Sequence, residues 1–214
     1  MTVSPVDLAS LLCSRLCHDL LSPVGALNNG LELLADETDP AMRERCMDLL
    51  AESARVSANK LKFFRLAFGA GGGFGEAVDA RETEGAVRGL VADNKRLELG
   101  WYVDAPTLSK PATKVLLNLV LIAADAMVRG GRLDVGAEQD EHGAEIVVKL
   151  EGGRILLDPE LRRTLVEGEG PDGVTARSAP AYLAHQLVRS GGGAVQVSEP
   201  SPELMVLGAT LRAR

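Results

Sequence analysis

From residue 8 to residue 34, apolar side chains fall at Leu8, Leu12, Leu16, Leu20, Val24, Leu27, Leu31 and Leu34. Spacings of three and four are the period of one stripe on a long helix. Ser4-Pro5-Val6-Asp7 gives that helix a start: a serine N-cap, a proline at the first helical position and an acid in the first turn. Residues 35–39 form a short polar turn, and Asp39-Pro40 opens a second helix by the same logic. Met42, Cys46, Leu49, Ser53, Leu61, Phe64 and Phe68 outline its buried face, and Arg43, Glu44, Arg55, Lys60 and Lys62 are largely solvated. Two helices joined so closely make an antiparallel hairpin. One hairpin leaves half its apolar surface bare, and a second copy completing a four-helix bundle is the economical cover. The expectation is a homodimer.

The pattern changes near residue 70. Gly69-Ala70-Gly71-Gly72-Gly73-Phe74-Gly75 marks a flexible break that divides the chain into residues 1–70, the hairpin, and residues 71–214. No lysine-serine or lysine-threonine pair follows, so the run is not a phosphate loop. Beyond it, helices are predicted at about 79–94, 109–129 and 179–190, and strands near 97–103, 131–138, 144–150, 194–199 and 204–212. Gly130-Gly131 suits a helix-to-strand turn and Gly191-Gly192-Gly193 a helix end. The expected fold class is α+β: a helical hairpin, then an α/β sandwich with a mostly antiparallel sheet.

Composition narrows the function classes. At 214 residues the chain holds two small domains or one large one, and with 46% hydrophobic but only 3% aromatic residues its core must be aliphatic. A formal charge of −7 and a pI near 5.1 argue against nucleic acid or an anionic membrane as partner. With no basic run, no apolar stretch near 18 residues and no signal-peptide layout, the expected location is the cytoplasm. Cys13, Cys17 and Cys46 have neither haem-attachment nor zinc spacing and are expected to be buried small hydrophobes.

One histidine stands apart. His18 is two residues from both Leu16 and Leu20, and at roughly 100° per residue it points almost opposite the apolar stripe. Ser14, Ser22, Gly25 and Asn29 share its face, a groove of small or polar side chains open to another protein. Leu21, about 60° around the helix, is an exposed apolar candidate for docking. Pro23 has no N–H for the Asp19 carbonyl, so the turn carrying His18 should be loosened. Asp19 is placed to orient or deprotonate the imidazole, and Arg15, one turn earlier, to steady an anion; a solvated charge is the plain alternative for each. His142, in a predicted turn, and His185, within a helix, lack such a setting and read as incidental.

His18-Asp19-Leu20-Leu21-Ser22-Pro23 resembles the phosphoacceptor box of histidine kinases, His-acid-x-x-(Ser/Thr/Asn)-Pro. Residues 114–127 resemble the N-box helix of the histidine kinase and gyrase-type ATPase fold, Asn-Leu-x-x-Asn-Ala-x-x-Ala. Asn118 matches the first asparagine, but Ile122 stands where that family binds Mg²⁺, and an aliphatic side chain offers a hard cation no oxygen. Glu151-Gly152-Gly153-Arg154 and Ser178-Ala179-Pro180-Ala181-Tyr182-Leu183 stand where the glycine boxes would be. Side chains there would obstruct phosphates that glycines admit.

An intact His18 box, an alanine-rich hairpin and a decayed ATPase-like domain together resemble the ChpT-type histidine phosphotransferases of alphaproteobacterial phosphorelays. The resemblance runs through most of the chain and is most specific over residues 13–34 and at Arg65-Leu66-Ala67-Phe68-Gly69-Ala70. It implies that His18 takes a phosphoryl group from the receiver domain of a hybrid histidine kinase and passes it to response regulator receivers, in relays that control the cell cycle. It implies no cofactor or metal on this chain, since Mg²⁺ belongs to the receiver. Two rival readings stand beside it: a divergent sensor kinase core that autophosphorylates on His18, and a non-enzymatic scaffold.

Overall fold

The computed structural model describes residues 3–69, 76–168, 173–199 and 201–213. Helices α1 (Pro5–Asp36) and α2 (Pro40–Ala67) form the hairpin. Their caps are the ones the sequence sets out. The Ser4 hydroxyl accepts from the Asp7 N–H and the Asp39 carboxylate from the Met42 N–H, each at 3.1 Å, which satisfies donors a helix start leaves orphaned. Arg43, exposed as expected, also clasps the turn by donating to the carbonyls of Leu34 and Glu37. The two helices approach closely at Gly30, where a Cβ would lie 3.0 Å from Leu50 Cδ2.

The second body comprises β1 (Ala77–Asp79), α3 (Ala80–Val91), β2 (Leu97–Val103), β3 (Thr107–Ser109), α4 (Lys110–Ala126), β4 (Gly131–Gln139), β5 (Gly143–Glu151), α5 (Pro159–Glu167), α6 (Ala179–Ser190), β6 (Val195–Val197) and β7 (Leu204–Arg212). The main sheet runs β2-β4-β5-β7-β6, with β2 and β4 parallel and every other pair antiparallel; β1 and β3 form a separate two-stranded ladder. Burial alternates along the strands. Leu133, Val135, Ile146, Val148 and Leu207 turn inward, while Arg132, Asp134 and Lys149 turn out. Helix α4 is apolar nearly all round because it lies between the sheet, α6 and the end of α2. The fold is α+β: a long hairpin on an α/β sandwich.

Gly130 and Gly131 make the turn between α4 and β4 with φ of +81° and +131°, a region closed to most side chains. The elements expected from the pattern are present with small shifts at their ends, the predicted helix at 79–94 closing at Val91 and the predicted strand at 194–199 shortening to β6. Three elements were not in the pattern. Strands β1 and β3 have three residues each, too few to alternate visibly, and α5 has few apolar positions although Asp158-Pro159 caps it as Asp39-Pro40 caps α2.

The buried face of α2 differs from the expected one. Cys46, Ser53 and Phe64 are buried, but Met42, Leu49 and Leu61 are exposed and Phe63, Leu66 and Ala67 take their place in the core. At the last turns the cause is tertiary: α3 and α4 pack there and bury Phe63 and Leu66 in place of Leu61, while Met42 and Leu49, on earlier turns, lie on a side of the hairpin that α1 leaves exposed. Phe63, Phe64, Leu66 and Ala67 therefore belong to the same apolar cluster as Val87, Val115 and Leu119. On α1, Val24 and Leu31 are likewise exposed. Cys13 and Cys17 are exposed too, against expectation, since they lie on the side of α1 that α2 does not cover; only Cys46 is buried. His185 is structural: it is buried, and its Nδ1 donates to the Leu165 carbonyl at 3.0 Å, tying α6 to α5. The break at residues 70–75, with the expected domain boundary, lies outside the described residues.

Two glycines of α1 should respond oppositely to a side chain. Gly30→Val presses on Leu50 and should lower unfolding stability by about 1–3 kcal/mol. A Cβ at Gly25 has nothing within 4 Å, so Gly25→Ala should raise stability by about 0.5–1 kcal/mol through helix propensity. Urea unfolding followed by circular dichroism reads both signs.

Candidate functional site

Helix α1 is unbroken from Pro5 to Asp36 although Pro23 lies inside it. Proline removes the N–H that would bond the carbonyl four residues back, here that of Asp19. That carbonyl is not left orphaned. Lys60, reaching across from α2, donates to it at 3.0 Å. The turn expected to be loosened is thus held by a side chain from the other helix. Lys60, expected to be solvated, is partly buried in doing so.

On this turn His18 is presented with 83% of its side chain exposed. Its Nδ1 lies 3.0 Å from Asp19 Oδ1. An ionised carboxylate only accepts, so the ring donates from Nδ1, and Nε2 keeps its lone pair on the outer edge of the imidazole. Asp19 itself is only 16% exposed, and its other oxygen accepts from Arg15 Nε at 2.9 Å. Arg15 is 13% exposed and donates through Nη2 to Asp125 Oδ2 at 2.7 Å. Burial works to lower the pKa of this guanidinium, but Asp125 and Asp19 outweigh it and hold the group above the ordinary arginine value. Arg15 therefore does not face outward to meet an anion. It is committed to two carboxylates, one of them on the second body.

The small and polar neighbours sit as expected. Ser14, Ser22 and Asn29 are exposed, Gly25 is half-buried with open space before it, and Leu21 is 70% exposed. The surface around His18 is open rather than concave. A cavity of about 550 Å³, lined among others by Lys110, Gln139, Leu187 and Leu211, lies at the opposite end of α4 from Asp125. Fifteen residues of helix put that end some 22 Å away, at about 1.5 Å per residue. An open face with a lone nucleophile suits a protein surface better than a small ligand. Among the described residues, no group of three or more metal-ligating side chains comes together.

The residues that resemble nucleotide boxes are engaged in packing. Asn118 is fully buried and its Nδ2 donates to the carbonyls of Lys114, at 2.7 Å, and Ala67, at 3.3 Å, tying α4 to the end of α2. Ile122 is buried in the core, and α4 packs directly on α6. Ser178 and Thr175 bond each other's backbone N–H groups at the start of α6. A Cβ on Gly152 would lie 2.6 Å from the Gly130 carbonyl, so this glycine serves the contact between two turns.

The hairpin that displays His18, packed on an α/β sandwich, is the layout of a phosphotransferase. The family described as the histidine phosphotransferase C-terminal domain matches residues 80–203. The protein phosphotransferase ChpT of Brucella abortus (strain 2308) is 34% identical over 206 residues, 96% of each chain. A solved structure described as a bacterial phosphotransferase superposes with a TM-score of 0.85 at 33% identity, over 98% of each chain. The histidine kinase AdeS of Acinetobacter baumannii aligns at a TM-score of 0.47 and 13% identity, over 92% of this chain and 98% of that one. The chain belongs to the ChpT-type histidine phosphotransferase family.

Two side chains at the site escaped sequence reasoning. Lys60 looked like one more solvated charge on α2, and Asp125 is 110 positions from Arg15. One local signal for Asp125 existed: an acid in the last turn of a helix, where its charge opposes the macrodipole. Replacing Lys60 by methionine keeps the aliphatic stem and removes the donor. It should lower stability by about 1 kcal/mol and speed amide hydrogen exchange around residues 18–24 relative to the rest of α1.

Proposed function

We propose that this chain relays a phosphoryl group through His18, from the receiver domain of a hybrid histidine kinase to the receivers of response regulators, without using ATP. The observation that carries the reading is the exposed imidazole with Nδ1 donating to Asp19. In the accepting step the Nε2 lone pair attacks phosphorus in line, the N–P bond forms and the P–O bond to the receiver's aspartate breaks. The electron pair leaves with that carboxylate. The ring needs to lose no proton from Nε2, and the positive charge it gains sits on the Nδ1–H already facing Asp19. The donating step is the reverse. Mg²⁺ would belong to the receiver, and Ser14, Leu21, Ser22, Gly25 and Asn29 would form the docking surface around the histidine, Arg15 lying beneath it.

The buried states of Asn118 and Ile122 support a protein that does not bind a nucleotide at the boxes it resembles. They weigh against an autophosphorylating kinase core. No helix among the described residues is long and apolar enough to cross a membrane. A homodimer is supported by two unpartnered seams. Cys17, Val24 and Leu31 recur every seven residues on α1, as do Met42, Leu49 and Val56 on α2; Val56 is half-buried and the rest are exposed. A seven-residue apolar repeat is the register of helices that pack side by side.

Incubation with a labelled phospho-receiver, in the absence of ATP, should place acid-labile phosphate on the wild-type chain. His18→Gln should carry none while melting at the same temperature, because the side chain it replaces packs against little. Label on His18→Gln would overturn the assignment. Mg-ATP at millimolar concentration should neither label the protein nor raise its melting temperature, whereas a ligand for the native state would raise it by mass action. In sedimentation equilibrium at micromolar concentration the full chain should run as a dimer, and Val24→Glu with Leu31→Glu should convert it to monomer by placing charges in the seam.

A further inference from the structure

Asp125 occupies a place that local helix energetics disfavour. It is in the last turn of α4, a turn with no basic residue, where a negative charge faces the negative end of the helix dipole. Positions that break a local rule are where a functional constraint is expected. The compensation is Arg15, whose Nη2 donates to Asp125 at 2.7 Å while its Nε donates to Asp19 at 2.9 Å.

The geometry has a consequence for the histidine. A guanidinium and a carboxylate left to themselves favour a bidentate fork, with two N–H groups on two oxygens. Here the fork is divided. Asp125 draws off the Nη2 arm, so Arg15 takes only Oδ2 of Asp19, and Oδ1 remains free for His18 Nδ1. Lys60 fixes the backbone of the same residue from α2. Asp19 is thus held directly by α1 and α2, and through Arg15 it is tied to α4.

We propose that Asp125 is a positioning residue for phosphoryl transfer at His18, acting through Arg15 and Asp19 to keep the imidazole protonated on Nδ1 and nucleophilic at Nε2. The proposal rests on the reading of His18 as the phosphoryl relay. It gives the second body a part in the chemistry of the first: α4 carries the group that divides the arginine fork. Without Asp125 the fork closes on both Asp19 oxygens, and Oδ1 leaves the ring.

The test begins on the unphosphorylated wild-type chain. Long-range ¹⁵N–¹H spectra of ¹⁵N-histidine-labelled protein at alkaline pH, with His18→Gln as the assignment control, should show His18 mainly as the Nδ1–H tautomer. In Asp125→Ala the population should move toward the Nε2–H form favoured in water, and single-turnover transfer from a phospho-receiver should slow by about tenfold with receiver affinity unchanged. Asp125→Glu should recover both. Arg15→Lys added to Asp125→Ala, which supplies a charge with no fork to close on both oxygens, should return the tautomer toward the Nδ1–H form. Circular dichroism melts verify that each variant folds. A wild-type His18 in the Nε2–H form overturns the proposal. So does an Asp125→Ala protein with an unchanged tautomer, even if transfer slows, since that outcome makes Asp125 a docking residue. A tautomer shift with no change in rate overturns it too. Should the chain accept no phosphate at all, the relay reading fails, while the tautomer comparison still reports on the coupling of Asp125 to His18.

Discussion

Burial of the end of α2 beneath α3 and α4 sets the relation between the two halves of this protein. Phe63, Phe64 and Leu66 are almost wholly removed from solvent there, and each such side chain stabilises by about 1.5–3 kcal/mol relative to exposure. The Arg15–Asp125 pair that also joins the halves is partly exposed, and ion pairs of that kind contribute about 0–1 kcal/mol. Packing wins by a wide margin. The apolar end of α2 fixes where α4 lies, and the ion pair exploits an orientation it did not create. The contact of Asn118 with the Ala67 carbonyl works in the same direction, pinning α4 at the middle.

Around His18 the labour is divided between display and support. The histidine and its exposed neighbours belong to one face of α1, where nothing crowds them. A hydrogen-bonded chain lies beneath: Asp19 on the ring, Arg15 and Lys60 on Asp19, and Asp125 on Arg15. Pro23 contributes by subtraction, since the carbonyl it leaves unbonded is the one Lys60 takes. An open site can still be a well-ordered one when the residue after the exposed histidine is gripped from two helices and braced, through Arg15, on a third.

Much of this was legible in the chain, and the parts that were not share a cause. The leucine stripe, the Ser4 and Asp39 caps and the His18 box are local patterns, written within a few turns of helix. The three-residue strands β1 and β3 are too short to carry a period. The face α2 buries depends on what packs against it. Leu61 has the spacing of a core stripe, yet α3 and α4 cover the side marked by Phe63 and Leu66. Asp125 and Lys60 needed knowledge of which helices meet, which no spacing within either helix contains. Arg15 shows the limit most plainly: one turn from His18 its position was evident, but its direction was decided by an acid on another element.

The burial of the α2 end also has a consequence in time. A ribosome delivers the hairpin before the helix that covers it, because α4 closes at Ala126 and α2 at Ala67. At translation rates of about 5–20 residues per second, Phe63, Phe64 and Leu66 wait roughly 3–12 s for their partner after they are synthesised. Throughout that interval the nascent chain carries an uncovered aromatic end beside helices already long enough to form. The parallel pairing of β2 with β4 waits longer still, since β4 begins at Gly131, beyond the end of α4. Vectorial synthesis therefore exposes this protein most where its final architecture is tightest, and its vulnerability to misassembly is concentrated in the seconds before α4 emerges.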